Sequence, residues 1–88
     1  MTWVYRFDSR AFKELKKLGK QSQREIISYL DERVIGEGNP RQFGKGLKAD
    51  LAGLWRYRVG DYRIICQISE GELLVLVVAV GHRKDIYG

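Results

Sequence analysis

The stretch LWRYRVGDYRII, residues 54–65, decides the fold of this chain. Aromatic and branched apolar residues alternate with arginines on both sides of Gly-Asp at 60–61, a dipeptide suited to a two-residue hairpin turn. A turn there places Arg58 opposite Arg63. Because side chains alternate along a strand, Arg56, Arg58 and Arg63 are expected to share one face, and the other face should pack under helices.

Two helices are predicted between an N-terminal strand and this hairpin. Residues 2–7 alternate as strands do, and either Asp8 or Ser9 can cap the helix that follows. A capping box at residues 22–25 is expected to begin the second helix. The inner face of the first helix should comprise Phe12, Leu15 and Leu18. The second helix repeats apolar residues at helical spacing: Ile26, Ile27, Leu30 and Val34.

The rest of the chain completes a small sheet. Residues 37–53 have no clear period and form a glycine-rich basic segment with Lys45 and Lys48. A turn at residues 70–71 leads into the apolar stretch 73–80, which is apolar on both faces and therefore predicted to be a central strand. We predict one α+β domain, residues 1–88: an N-terminal strand, a two-helix hairpin, then a three-stranded antiparallel meander, forming one sheet with the helices on one face.

Composition limits the function. The chain has 88 residues, with 16 Lys and Arg against 11 Asp and Glu, so its charge of +5 favours polyanions, nucleic acid first. A single cysteine and a single histidine exclude an internal disulfide and the usual zinc sets. No signal peptide opens the sequence, and the longest apolar run is too short to span a bilayer, so we expect a cytoplasmic protein.

The last strand is expected to extend the face that carries the arginines. With the turn at residues 70–71, Arg63 faces Val78, and His82 emerges beside the arginines if extended geometry continues past Gly81. Like charges across a hairpin repel, so three arginines on one face favour an anion. The apolar floor beside them should comprise Leu74, Leu76 and Val78.

The residues after this strand add further polar groups. Arg83, Lys84 and Tyr87 would join His82 near the arginines, and such a set of cations, an imidazole and a phenol is typical of a phosphodiester-cleaving site. Cations rather than carboxylate clusters surround it, so we expect metal-independent chemistry and no cofactor. The alternative is a solvated basic face balanced by nearby aspartates.

Two stretches carry a family resemblance: LKADLAGLWRYRVGDYRII, residues 47–65, and VGHRKDIY, residues 80–87. They resemble the RelE/ParE superfamily of toxin–antitoxin toxins, on its RelE side, as does the predicted order of elements. The resemblance implies a ribosome-dependent endoribonuclease that cleaves mRNA in the aminoacyl site when the RNA 2′-hydroxyl attacks the adjacent phosphate. It also implies a RelB-like antitoxin as partner; we expect the free toxin to be a monomer.

The resemblance also suggests roles for individual residues. Arg63 and Arg83 match the family's phosphate-binding arginines, Tyr87 matches its C-terminal tyrosine, and His82 stands where members have lysine or histidine. Arg56 and Arg58 stand where some members of the family have lysines. Because arginine stays protonated, proton transfer is left to His82 or Tyr87. The residues expected to bind RNA or the ribosome are Arg56, Arg58, Lys45, Lys48 and Lys84.

Two other functions remain open from the sequence. A ParE-like protein would inhibit DNA gyrase by binding, without chemistry of its own, and a degenerate member would bind an antitoxin alone. Fold cannot separate these hypotheses. The set formed by His82, Arg83 and Tyr87 beside Arg63 favours the endoribonuclease, since a protein that only binds does not need it.

Overall fold

The computed structural model describes residues 2–84, which form a five-stranded mixed sheet, two α-helices and two short 3-10 helices. In chain order the elements are β1 (Val4–Phe7), α1 (Ser9–Lys16), α2 (Lys20–Arg33), a 3-10 helix (Pro40–Gln42), β2 (Lys45–Gly46), a 3-10 helix (Ala49–Leu51), β3 (Trp55–Val59), β4 (Tyr62–Ser69) and β5 (Leu74–His82). The strand order is β1-β5-β4-β3-β2, with β1 parallel to β5 and the other pairs antiparallel. The predicted α+β class and the central last strand are confirmed; β2 was not predicted.

The β3–β4 hairpin has the predicted register. Val59 pairs with Tyr62 across the two-residue turn, and Arg58 pairs with Arg63. Gly60 has a φ of +59°, a left-handed conformation that glycine adopts at no steric cost. The turn therefore fixes which side chains share a face along the whole hairpin.

The β4–β5 register differs from the prediction. The connection is four residues long, 70–73, so Ser69 pairs with Leu74. Further along, Cys66 pairs with Val77 but Ile65 pairs with Ala79, which leaves one additional residue in β5. The two additional turn residues leave each β5 side chain on its predicted face of the sheet. The one-residue bulge moves every later β5 side chain to the opposite face.

Both helices pack on one face of the sheet, as predicted. Their buried residues meet the alternate residues of β3, β4 and β5 in a single apolar core, in which Tyr57 and Ile64 are fully buried. Burial of apolar area in such a core is the main favourable term in folding. The core comprises Ala11, Leu15, Ile26, Leu30, Val34, Tyr57, Ile64, Cys66, Val75, Val77 and Val80.

Helix α1 turns a different residue inward from the one expected. The Asp8 carboxylate caps the helix by accepting the Ala11 N–H at 2.7 Å. Ala11 and Leu15 are buried, whereas Phe12 is 50% exposed, so its predicted place on the inner face is wrong. Successive helical residues are about 100° apart, and the small Ala11 occupies the position against the sheet instead.

Helix α2 begins earlier than its predicted capping box. It starts at Lys20 with Gly19 as the N-cap and without a side-chain cap, so the box at residues 22–25 is wrong. The Gln23 side chain instead donates from Nε2 to the Leu18 carbonyl at 2.8 Å and ties the two helices together. None of the helices within residues 2–84 is long and apolar enough to cross a membrane.

The connection from α2 to β3 is held against the sheet by aromatic side chains. The Tyr57 hydroxyl donates to the Pro40 carbonyl at 2.6 Å, and Trp55 Nε1 donates to the Phe43 carbonyl at 2.7 Å. Gly44 has a φ of +82°, and a Cβ there would collide with the Arg56 carbonyl. The segment 37–53, which was expected to be irregular, therefore contains β2, and this strand brings Lys45 into the sheet.

Candidate nucleic-acid interface and active site

The sheet face opposite the helices carries a cluster of cations, here called the basic face: Lys45, Arg56, Arg58 and Arg63. Arg58 pairs with Arg63 across the hairpin, and Lys45 pairs with Arg56 from the neighbouring strand. The predicted gathering of the three arginines is confirmed. Lys45 joins them because β2 aligns it with β3.

Arg56 is the most constrained cation of this face. Its Nε atom is buried, and it has no hydrogen-bond partner among residues 2–84. Burial lowers the pKa of Arg56, and the neighbouring charges of Arg63 and Arg58 lower it further. Since each of these effects disfavours the charged form, an anion bound between the arginines would relieve them.

The floor of the basic face is apolar near the arginines. Ile65 is only 4% exposed although it lies outside the helix-side core, and it pairs with Arg56 on one side and Ala79 on the other. Leu74 and Leu76 lie on this side farther along β5, as predicted. A low-exposure floor strengthens electrostatic contacts to a ligand by excluding water.

His82 lies on the opposite side of the sheet from the basic face, so its predicted placement is wrong. It pairs with Tyr62, and the two rings meet edge to face with centroids 5.7 Å apart. The cause is the additional β5 residue at Val78, which inverts the alternation. Val80 consequently points into the core, and His82, two residues later, follows it to the helix side.

The residues after His82 lie beside the β3–β4 turn. The Arg83 backbone N–H donates to the Asp61 carbonyl at 2.8 Å, and Arg83 Nε is 3.9 Å from Asp61 Oδ1. The Lys84 backbone N–H donates to His82 Nδ1 at 3.2 Å. Tyr87 lies outside the described residues. Arg83 thus reaches the turn next to Arg63, while His82 stays behind the sheet.

The hydrogen bond from Lys84 also fixes the chemistry of the imidazole. A backbone N–H can only donate, so Nδ1 of His82 is the acceptor of this bond, and a neutral ring that makes the bond carries its proton on Nε2. In this state the imidazole offers an Nε2–H donor to a ligand.

The two remaining predicted binding residues are exposed lysines outside the strands. Lys48 precedes the 3-10 helix Ala49–Leu51, and Lys84 follows the end of β5. Neither is paired in the sheet with the basic face. Their charge is available to a large polyanion that extends beyond the arginines.

Sequence reasoning missed Glu14. Its Oε1 accepts the Val80 N–H at 2.8 Å, and its Oε2 is 3.5 Å from Arg10 Nε. β1 pairs with β5 only as far as Val77. Within residues 2–84 no strand follows it along the later part of β5, and α1 supplies the acceptor there. A glutamate among the lysines of α1 could have suggested a specific partner for this side chain. The partner, the Val80 N–H, depends on a bulge in β5 that the sequence does not reveal.

Comparison with known proteins identifies the family. Residues 5–87 match the sequence family described as the ParE toxin of the type II toxin-antitoxin system parDE. The chain belongs to this family of toxins. This ParE-family toxin is similar to Toxin RelG of Mycobacterium tuberculosis, with 33% identity over 99% of this chain and 98% of RelG. It is 28% identical to the mRNA interferase toxin RelE of Escherichia coli, over 96% of this chain and 86% of that protein.

Solved structures place the ParE-family toxin on the RelE side of the superfamily. The toxin-antitoxin complex RelBE2 from Mycobacterium tuberculosis contains a chain that superposes with a TM-score of 0.84, at 28% identity over 94% of this chain and 93% of that one. The isolated E. coli RelE toxin gives a TM-score of 0.74, at 26% identity over 91% of this chain and 83% of that one. The chain is therefore a RelE-like toxin of a type II toxin–antitoxin system.

Proposed function

We propose that this toxin is an endoribonuclease that cleaves mRNA in the aminoacyl site of the translating ribosome. The basic face is the observation that carries the proposal, because four cations converge there and a buried guanidinium Nε of Arg56 lacks a partner within residues 2–84. The similarity to an mRNA interferase toxin supports the same activity. Acting on ribosomes also implies a cytoplasmic location.

The reaction takes place on mRNA held by the ribosome and consumes no co-reactant. The RNA 2′-oxygen loses its proton and bonds to phosphorus while the bond from phosphorus to the 5′-oxygen breaks. The leaving 5′-oxygen takes up a proton, which leaves a 2′,3′-cyclic phosphate and a 5′-hydroxyl. Arg63 and Arg83 would bind the scissile phosphate and stabilise the negative charge that develops on it. Arg56 and Arg58 would hold the neighbouring phosphates.

Metal independence is part of the proposal. The cations of the basic face can supply the charge stabilisation for which other nucleases use a metal ion. In the described part of the chain, no three His, Cys, Asp or Glu side chains come together as metal ligands. Cleavage should therefore persist when EDTA removes tighter-binding metals while excess magnesium keeps the ribosomes intact. Its rate should also stay constant as magnesium is varied within the range in which the ribosomes remain intact.

Proton transfer has two candidates, His82 and Tyr87. His82 can reach a phosphate on the basic face only where the RNA passes over the end of β5, and acting as a base at Nδ1 requires release of the Lys84 N–H. Tyr87 follows five residues later in the sequence. Loss of the true proton carrier should slow cleavage by about 100-fold to 10,000-fold.

Mapping of RNA 3′ ends on programmed ribosomes tests the function. Purified toxin should produce cuts in the aminoacyl site, and Arg83→Ala should slow them by about 100-fold or more because one phosphate contact is lost. Lys20→Ala, which removes an exposed cation at the start of α2, is the matched control and should cleave at the wild-type rate. Equal rates for Arg83→Ala and wild type would overturn the site, and wild-type toxin that makes no cuts would overturn the function.

The same assay assigns the proton carrier. His82→Ala and Tyr87→Phe are compared in single-turnover reactions at saturating toxin, so that differences in binding do not contribute. A loss confined to His82→Ala assigns the role to the imidazole, and a loss confined to Tyr87→Phe assigns it to the phenol.

The family description supports a second candidate function. The chain matches a family of ParE toxins, and the sequence resemblance leaves open a ParE-like protein that inhibits DNA gyrase by binding alone. In that case the toxin blocks supercoiling in a purified gyrase assay and leaves ribosome-bound mRNA intact. The arginines would then contribute to affinity without affecting a chemical step.

A RelB-like antitoxin is the proposed protein partner. A related solved structure is a toxin-antitoxin complex, and the basic face offers a charged surface for an acidic segment of such a protein. Bound there, the antitoxin would compete with RNA. Addition of the cognate antitoxin should abolish cleavage in proportion to the complex formed.

A further inference from the structure

A cavity of about 450 Å³ lies between α1 and the end of β5, behind the basic face. Its volume is within the range of about 300–1,000 Å³ found for small-molecule sites. The groups that line this end cavity include two cations, one carboxylate, a leucine and two aromatic rings. They are Arg10, Glu14, Lys17, Leu18, Tyr62 and His82.

The aromatic rings form one wall of the end cavity. Tyr62 and His82 both line the cavity, and their rings meet edge to face with an interplanar angle of 81°. Leu18 is partly buried against the core and adds an apolar contact. Flat aromatic ligands stack on such surfaces whatever their hydrogen-bonding pattern.

The polar groups of the end cavity suit a neutral ligand with both donors and acceptors. His82 offers its Nε2–H, since Nδ1 accepts from the Lys84 backbone. Glu14 uses Oε1 for the Val80 N–H, which leaves Oε2, 3.5 Å from Arg10 Nε, as an acceptor. Arg10 and Lys17 also line this space and could hold an anion, but an anion cannot use the Glu14 oxygen, whereas a nucleobase can hydrogen-bond with both Glu14 and His82.

The position of the end cavity connects it with the proposed cleavage site. His82 lies in the cavity, and Arg83, the next residue, reaches Asp61 at the hairpin turn. Adjacent Cα atoms are about 3.8 Å apart, so the cavity and the phosphate-binding arginines meet at this strand end. An RNA strand that crosses the end of β5 would leave phosphates on the basic face and carry a neighbouring nucleotide behind the sheet.

We propose that the end cavity binds the base of the nucleotide that flanks the cleaved bond. The inference rests on the proposed endoribonuclease function and adds a subsite that senses base identity. Bases with an exocyclic amino group can donate to Glu14 Oε2, whereas the one base N–H of a uracil nucleotide, N3–H, is flanked by two carbonyl oxygens that this carboxylate repels. Adenine, guanine and cytosine should therefore bind better than uracil at this position.

A titration followed by NMR tests binding independently of cleavage. The chain has one histidine, so the ring signals of His82 identify themselves. Cytidine 3′-monophosphate should shift the His82 and Tyr62 ring signals, and uridine 3′-monophosphate should shift them less at equal concentration. Inorganic phosphate should affect arginine side-chain signals and leave the His82 ring unchanged.

Three results of this titration would overturn the subsite. An equal His82 shift with inorganic phosphate would show a plain anion site. A shift produced by a polyglutamate peptide but by neither nucleotide would assign the cavity to a protein partner. The absence of any His82 shift with nucleotides would show that the base does not enter.

Steady-state cleavage provides the second measurement. Lys17→Ala should raise KM about tenfold, equivalent to about 1.4 kcal/mol, with little change in kcat, because the cavity binds a part of the substrate that does not react. Lys17 is exposed at the end of α1, so folding is retained. Lys16→Ala, an exposed neighbour that does not line the cavity, is the matched control.

The two measurements separate the subsite from the wider function. A kcat loss without a KM change for Lys17→Ala would overturn the assignment as a binding subsite. If wild-type toxin cleaves no RNA, the proposed function fails, and the titration still reports whether the cavity binds a nucleotide.

Discussion

The two faces of the sheet differ in how their polar and charged groups are satisfied. On the helix-covered face, Tyr57 is fully buried and its hydroxyl donates to the Pro40 carbonyl at 2.6 Å. On the open face, Arg56 has a buried Nε without a partner in residues 2–84, and Arg58 lies opposite another arginine. Stability is therefore concentrated on the first face, and the second retains charge for a ligand.

The largest expected difference between the faces comes from two adjacent isoleucines. Ile64 is fully buried in the core, and Ile65 is 4% exposed on the open face. Ile64→Ala should lower the free energy of unfolding by about 2–5 kcal/mol, because a close-packed core cannot fill the cavity that the change leaves. Ile65→Ala should cost less, since long arginine stems can close over the gap. Urea unfolding measures both, and equal losses would contradict the division between faces.

A smaller effect is expected where α1 is joined to the end of β5. Glu14→Ala removes the acceptor of the Val80 N–H and should lower the free energy of unfolding by about 1–3 kcal/mol. Glu14→Gln keeps a side-chain oxygen and is the matched control. Hydrogen exchange should show faster exchange of the Val80 amide in Glu14→Ala alone. Wild-type protection of that amide in the alanine variant would contradict the role of Glu14.

On the open face, a charge can be removed with little cost to folding. Arg56→Met should leave the free energy of unfolding unchanged or raise it by up to about 1 kcal/mol, because like-charge repulsion across the strands is reduced. Affinity for RNA should fall, and the slope of log affinity against log salt concentration should decrease in magnitude. Lys20→Met, which removes an exposed cation outside the basic face, is the control for stability. A large destabilisation by Arg56→Met would show that the arginine supports the fold.

The smallest effect is expected at the rim between the faces. Asp61→Asn removes the partner of Arg83, but both side chains of this ion pair are more than half exposed, at 66% and 61%. Exposed pairs contribute about 0–1 kcal/mol, so thermal unfolding should change little. The cleavage rate should stay the same or rise, because the Arg83 side chain is released from Asp61 and can bind phosphate. A marked fall in cleavage would show that Asp61 positions Arg83.

The fold was predictable where local chemistry sets the register. The Gly60 turn has two residues, so every pair of β3 and β4 followed from counting outward. Leu73 has a φ of +51° and lies in a four-residue connection, where the sequence suggested the start of a strand. Neither that conformation nor the bulge at Val78 has a signature such as glycine or proline. Both lie beside long-range contacts: the Leu73 carbonyl accepts the Val4 N–H of β1, and Val80, two residues after the bulge, donates to Glu14 of α1.

The candidate site was predictable to the same extent. The arginine cluster depends only on the hairpin register and is present as predicted. His82 depends on the alternation of β5 and is displaced to the other face by one residue. Lys45 was singled out for its charge, but its alignment with Arg56 required β2, a strand of two residues with no sequence period to reveal it. The role of Glu14 required the neighbouring strand to end before β5 does.

Helix α1 is attached to β5 at two points, one at each end of the segment from Asp8 to Glu14. The Asp8 N–H donates to the Val77 carbonyl at 2.9 Å, and Glu14 accepts from Val80. The six residues from Asp8 to Glu14 rise about 9 Å along the helix, and the three residues from Val77 to Val80 span about 10 Å along the strand. The spacing of the two attachment points on α1 therefore matches their spacing on β5. One residue inserted between Asp8 and Glu14 would rotate the carboxylate by about 100° and detach it. Chains of this family should therefore tolerate insertions and deletions poorly in this helical segment.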